Sequence, residues 1–65
     1  MNLYFYEGPV LKYGQCVDTH WESSTYAVSK EKARSNLTYQ YKKKYGYLPQ
    51  VKITLPGNIV LIEED

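Results

Sequence analysis

The stretch from Ser29 to Gly46 constrains the fold most, because it alone among the 65 residues reads as a helix with both ends marked. Ser29 is a candidate N-cap, whose hydroxyl would accept from an orphan amide of the first turn. Val28 stands where a hydrophobic staple would pack on Ala33, and Glu31 sets a negative charge at the positive end of the helix dipole. Helix-favouring residues run to Tyr45, Gly46 supplies the C-cap, and Lys42, Lys43 and Lys44 suit the negative end of the dipole. At about 100° per residue, Ala33, Leu37, Tyr41 and Tyr45 form one inward stripe, with the two tyrosines in the core or at its edge. Such a stripe needs a second layer to cover, and the remaining chain reads as strand.

Leu3 to Tyr6 is an aromatic, strand-favouring run that Gly8-Pro9 interrupts before Val10 to Tyr13 resumes extended character. Tyr13-Gly14-Gln15 reads as a turn. From there Val17, Thr19 and Trp21 alternate with Cys16, Asp18, His20 and Glu22, which predicts a half-buried strand with its polar set in water. Thr25 to Val28 continues extended. Past the helix, Pro49 prevents its continuation, and Val51, Ile53 and Leu55 alternate with Lys52 and Thr54. Pro56-Gly57 fits the central pair of a type II turn, and Ile59–Ile62 is a last apolar run, either a fourth strand or an extension of the third. The expected fold is α+β: a small antiparallel sheet of three or four strands with one helix on one face, in the order β-β-α-β(-β), as one domain spanning 1–65.

A domain of this size buries only about 60% of the surface its unfolded chain exposes, so the core is small and outside help is common. Cys16 is the one cysteine, so an internal disulfide is excluded. Ile59–Ile62 has no polar face, and a second copy covering it, a homodimer, is one remedy. The start Met1-Asn2-Leu3-Tyr4 lacks the basic and apolar regions of a secretory signal, and no window approaches the roughly 18 apolar residues of a membrane span. A soluble, cytoplasmic protein without membrane contact is the expectation, and a reducing compartment suits the lone thiol.

Net charge is +1, but seven of the eight Lys and Arg residues lie between Lys30 and Lys52, while the tail Glu63-Glu64-Asp65 is wholly acidic. Eight tyrosines are the other oddity, since tyrosine serves both half-buried sites and interfaces. On the helical wheel Lys32, Asn36, Tyr39 and Lys43 fall together on an outer side, with Tyr39 expected in solvent. That group is the candidate partner-binding surface. One occupant is a protein, a host enzyme or defence component, held by Tyr39 and its neighbours or by the exposed edge of the sheet. The other is a nucleic acid, with Tyr39 stacking on a base and Arg34, Lys42, Lys43 and Lys44 on phosphates. Balanced net charge favours the protein, because phosphate-driven affinity grows with the number of cations engaged. An ordinary solvated helix face is the plain alternative.

Cys16, Asp18, His20 and Glu22 are all metal-binding residue types on one strand face. Same-face neighbours stand about 6.6 Å apart, so two of them can share an ion but all four cannot converge without a bend. No second His or Cys exists, and an exposed polar strand face explains the pattern; no metal or cofactor is expected. Cys16 and His20 lie roughly 13 Å apart along the strand, too far for a nucleophile and its base. Gly8 and Gly57 lack the spacing of a phosphate-binding loop. A non-enzymatic protein is expected.

The runs "YEGPVLKYG" at 6–14, "TYAVSKEKARSNL" at 25–37 and "KITLPGNI" at 52–59 resemble a group of small proteins encoded in the prophages and integrative mobile elements of Gram-positive bacteria. The likeness covers nearly the whole chain. The group carries no established activity or functional residues, so no role transfers by position. The resemblance implies a setting: an accessory protein that binds a host component or assists replication and maintenance of the element.

Overall fold

The computed structural model describes residues 1–64, so Asp65, the last acid of the tail, lies outside the described residues. Among them the elements run β1 (Asn2–Lys12), β2 (Gln15–Ala27), α1 (Lys30–Tyr45), β3 (Ile53–Thr54) and β4 (Ile59–Glu63). The fold is α+β: a four-stranded antiparallel sheet with one helix packed on it, in the order β-β-α-β-β. Long β1 is the spine. It pairs with β2 along one side, while the other side is shared end to end by β4 at Leu3–Tyr6 and β3 at Leu11–Lys12. Ile59–Ile62 therefore starts a separate strand, whose outer edge has no strand neighbour among the described residues.

The helix forms for the reasons its ends announce. Ser29 is extended and its Oγ accepts the Lys32 amide at 3.2 Å, while Gly46 adopts the left-handed conformation (φ 73°) and donates its amide to the Lys42 carbonyl. The staple does not form. Strand alternation carries on from buried Ala27, so Val28 points the opposite way and stays 68% exposed.

Pro9 sits inside β1 without ending it. The ladder shifts register between Gly8 and Val10 and again between Val10 and Leu11, and at both places β2 has one residue more than β1. Each extra residue is a bulge that turns the following side chains to the other face. The expected inward trio is overturned for that reason: Trp21 is buried, Val17 and Thr19 are exposed, and Asp18 turns half inward.

The core is one cluster between sheet and helix: Tyr4, Tyr6, Val10, Trp21 and Ala27 below, Ala33, Leu37 and Tyr41 above, and Ile53, Leu55 and Ile59 closing the side. Ile53 and Leu55 face inward as their alternation predicts, but strand pairing is confined to Ile53–Thr54, opposite Lys12 and Leu11. The buried Tyr6 hydroxyl donates to the Pro9 carbonyl at 2.6 Å and accepts the Gly57 amide at 3.1 Å. Gly57 is needed for this approach, since a Cβ there would stand 3.1 Å from the Tyr6 oxygen and 3.2 Å from its ring. Its φ lies outside the positive region that a type II turn requires at that place, so the expected turn type is not formed.

Candidate ligand-binding site

A column of rings leads from the core to one end of the molecule. Tyr6 lies 6.2 Å from Trp21, Trp21 meets Tyr41 edge-on at 5.0 Å, and Tyr41 contacts Tyr45 at 4.5 Å and Tyr47 at 6.1 Å. Burial first, then the neighbouring Asp18 carboxylate, pushes the Tyr41 phenol up to about 12. The inward turn of Asp18 at the β2 bulge is what brings that carboxylate there.

At this end three segments meet. The Tyr47 amide donates to the Lys42 carbonyl at 2.8 Å, and Lys42 Nζ donates to the Pro49 carbonyl at 2.9 Å, which folds the loop after α1 back along the last helical turn. The β1–β2 hairpin joins through the Tyr13 amide, which donates to the Lys52 carbonyl at 3.1 Å, and through Lys12, whose Nζ lies 4.8 Å above the Tyr47 ring. Tyr39, Lys42, Lys43, Tyr47 and Pro49 then line an open cleft of about 180 Å³. Lys44, 5.5 Å over the Tyr45 ring, extends the rim. At the hairpin tip Tyr13 is 61% exposed with φ 50°, a conformation uncommon for a residue with a Cβ.

The charge of this end is one-sided. Residues 39–62 contain no Asp or Glu, nor do residues 8–17, and both stretches converge here. Lys12, Lys42, Lys43 and Lys44 therefore stand at or beside the cleft without a carboxylate from their own segments to offset them, and clustered like charge attracts a polyanion even where the whole chain is near neutral.

The outer-helix residues divide three ways. Tyr39, 63% exposed, joins Lys42 and Lys43 at the cleft. Lys32 is exposed two turns earlier on α1, beyond the cleft. Asn36 Nδ2 donates to the Tyr26 carbonyl at 3.3 Å, and Arg34 donates to the carbonyls of Leu55 and, at 3.4 Å, Gly57; both tie the helix to its neighbours. Tyr47, Pro49 and Lys12 escaped the wheel because they lie off the helix. The signal for Tyr47 and Pro49 was the acid-free run continuing past Gly46, whereas Lys12 on β1 carried none.

The four polar residues of β2 do not converge. Cys16 Sγ donates to the Asp18 carbonyl at 3.3 Å, the Asp18 side chain serves Tyr41 and the His20 amide, and the His20 ring turns to β1. Among the described residues no helix is long and apolar enough to cross a membrane. Comparison with protein-family models, curated proteins and solved structures finds no match to the chain.

Proposed function

We propose that this chain is a non-enzymatic binding module whose basic, tyrosine-rich end holds a single strand of nucleic acid. The observation that carries the reading is the cleft itself, where Tyr39 and Tyr47 stand beside Lys42 and Lys43 with Lys12 and Lys44 close by. Unpaired bases stack on exposed aromatic rings, worth about 1–3 kcal/mol per base, while lysines neutralise phosphates. A duplex hides its base faces, so stacking favours an unpaired strand. Exposed Tyr13, held in a sparsely populated backbone conformation at the hairpin tip whose amide bonds Lys52, offers a third ring at this end. The local excess of lysine outweighs the balanced net charge that speaks for a protein partner. Binding rather than chemistry is also supported by Cys16, which donates to a backbone carbonyl instead of a base. An accessory role in replication or maintenance of a prophage or integrative element fits this activity and is the setting the sequence resemblance implies.

Fluorescence anisotropy with labelled single-stranded oligonucleotides tests it. Engagement of three or four phosphates gives a log–log salt slope of about −2 to −3. Lys43→Glu weakens binding, and duplex of the same sequence binds less tightly. Absence of binding at low salt removes the reading.

A protein partner has a separate observation in its favour. Val60, Leu61 and Ile62 are 50%, 41% and 56% exposed on β4, whose outer edge is open to strand addition by a host protein or by a second copy of this chain. Sedimentation at micromolar concentration distinguishes these: twice the monomer mass, reverting with Val60→Lys, establishes the homodimer, and a clean monomer removes it.

A further inference from the structure

Glu7 of β1 and Glu22 of β2 are direct partners across the ladder, and like charges placed opposite each other destabilise a sheet. Their chain neighbours Tyr6 and Trp21 turn under the helix, so both glutamates project from the opposite, uncovered face. His20 projects there too. Its Nε2 lies 2.8 Å from Glu7 Oε2 and 3.6 Å from Glu22 Oε2, and one ligand atom from each of the three residues falls within 4.8 Å of the others. The backbone beneath is held, because the Asp18 carboxylate accepts the His20 amide at 3.2 Å.

We propose that Glu7, His20 and Glu22 form a binding site for a divalent transition-metal ion of the zinc type. Zinc bonds of about 2.0–2.1 Å in tetrahedral geometry place ligand atoms roughly 3.3 Å apart, and the two distances from the His20 nitrogen bracket that value. A neutral imidazole with two carboxylates supplies two negative charges, which a dication balances and which relieves the repulsion between the paired glutamates. The imidazole selects the class of ion: calcium and magnesium take oxygen ligands in larger or octahedral shells, whereas zinc accepts a mixed nitrogen and oxygen set. Three protein ligands leave the fourth position for water or for a group of a partner. Residue spacing along β2 allowed only two of its residues to share an ion; the third ligand comes from the facing strand. The site lies on the sheet face away from α1 and is independent of the cleft between α1 and the loop.

Zinc chloride titrated into the full chain against a chromophoric chelator tests the proposal. The expected result is one ion per chain, with Glu7→Gln, His20→Ala and Glu22→Gln each lowering affinity at least about tenfold and Cys16→Ser leaving it unchanged. All three side chains are about half exposed, so the variants retain the fold, which circular dichroism checks. Absence of saturable binding overturns the proposal. So does binding that survives His20→Ala or is lost in Cys16→Ser, and displacement of zinc by equimolar magnesium overturns the choice of ion.

Discussion

The sheet face under α1 and the end of the molecule beyond it are built from the same residue and put it to opposite uses. Under the helix Tyr4, Tyr6 and Tyr41 are 6%, 0% and 3% exposed, while at the end Tyr13, Tyr39 and Tyr45 are 61%, 63% and 48% exposed. A core of few residues needs large side chains to bury enough area, and tyrosine fills space while its hydroxyl reaches the polar rim. No buried side-chain nitrogen or oxygen among the described residues lacks a hydrogen-bond partner, so the covered tyrosines are fully used by folding. Tyr45 still packs one side on the Tyr41 ring at 4.5 Å, whereas Tyr13 and Tyr39 make no ring contact with the core column. The contrast separates residues that hold the fold from residues left available for contact, and each half of it can be challenged.

The largest effect is expected at the centre of the covered face. Trp21 contacts the rings of both Tyr6 and Tyr41, and Trp21→Ala should cost about 3–5 kcal/mol, enough to unfold most of so small a domain. Urea denaturation followed by circular dichroism measures it. A cost under about 1 kcal/mol would mean that the ring column does not organise the core.

Next comes a pH effect confined to the covered side. The Tyr41 phenol is raised from 10.0 to about 12, so the folded state favours its protonated form. That contribution is whole below pH 10 and is lost as pH climbs towards 12, a change on the order of 2–3 kcal/mol for a shift of two units. The exposed tyrosines provide the internal control. Urea midpoints at pH 9 and pH 11.5 should differ strongly in the parent chain and less in Tyr41→Phe; equal pH dependence in both would assign the alkaline loss elsewhere.

Tyr6→Phe keeps the ring and removes one hydroxyl. It leaves the Pro9 carbonyl without its donor and the Gly57 amide without its acceptor, at a cost of about 1–3 kcal/mol. Gly57→Ala should destabilise by a different route, pressing a methyl group on the same ring. A neutral Tyr6→Phe in thermal melts would show that Pro9 of β1 and the Gly57 loop are held together by packing alone.

These residues also mark where the sequence could and could not be read. The helix was legible to its caps, because Ser29 and Gly46 act through bonds to residues three and four away. Strand identity was legible too, while facing on β2 was not: two bulges opposite the Gly8–Leu11 stretch shift the alternation, and the mark they leave, Gly8-Pro9, stands on the partner strand β1 rather than on β2. Gly57 announced a turn, but its purpose, closeness to Tyr6, depends on a residue 51 positions away. The cleft was half legible for the same reason. Tyr39, Lys42 and Lys43 share a helix, whereas Lys12 and Tyr47 join them only through tertiary contact.

The smallest effect on stability, and the sharpest test of the contrast, belongs to Tyr39. Its ring lies on the outer side of α1 and lines the cleft, and none of the ring contacts of the core column involves it. Tyr39→Ala should change stability by no more than about 0.5 kcal/mol, and alanine's helix propensity can even raise it. Affinity for a single strand should nevertheless fall by roughly fivefold to a hundredfold, the loss of one base stacked on one ring. Tyr39→Phe keeps the stacking face and should bind nearly as the parent does, which separates a stacking role from a hydroxyl contact. If Tyr39→Ala instead unfolds the chain, the division between covered and exposed tyrosines fails at its plainest point; if it folds and binds unchanged, the cleft is not where the strand lies.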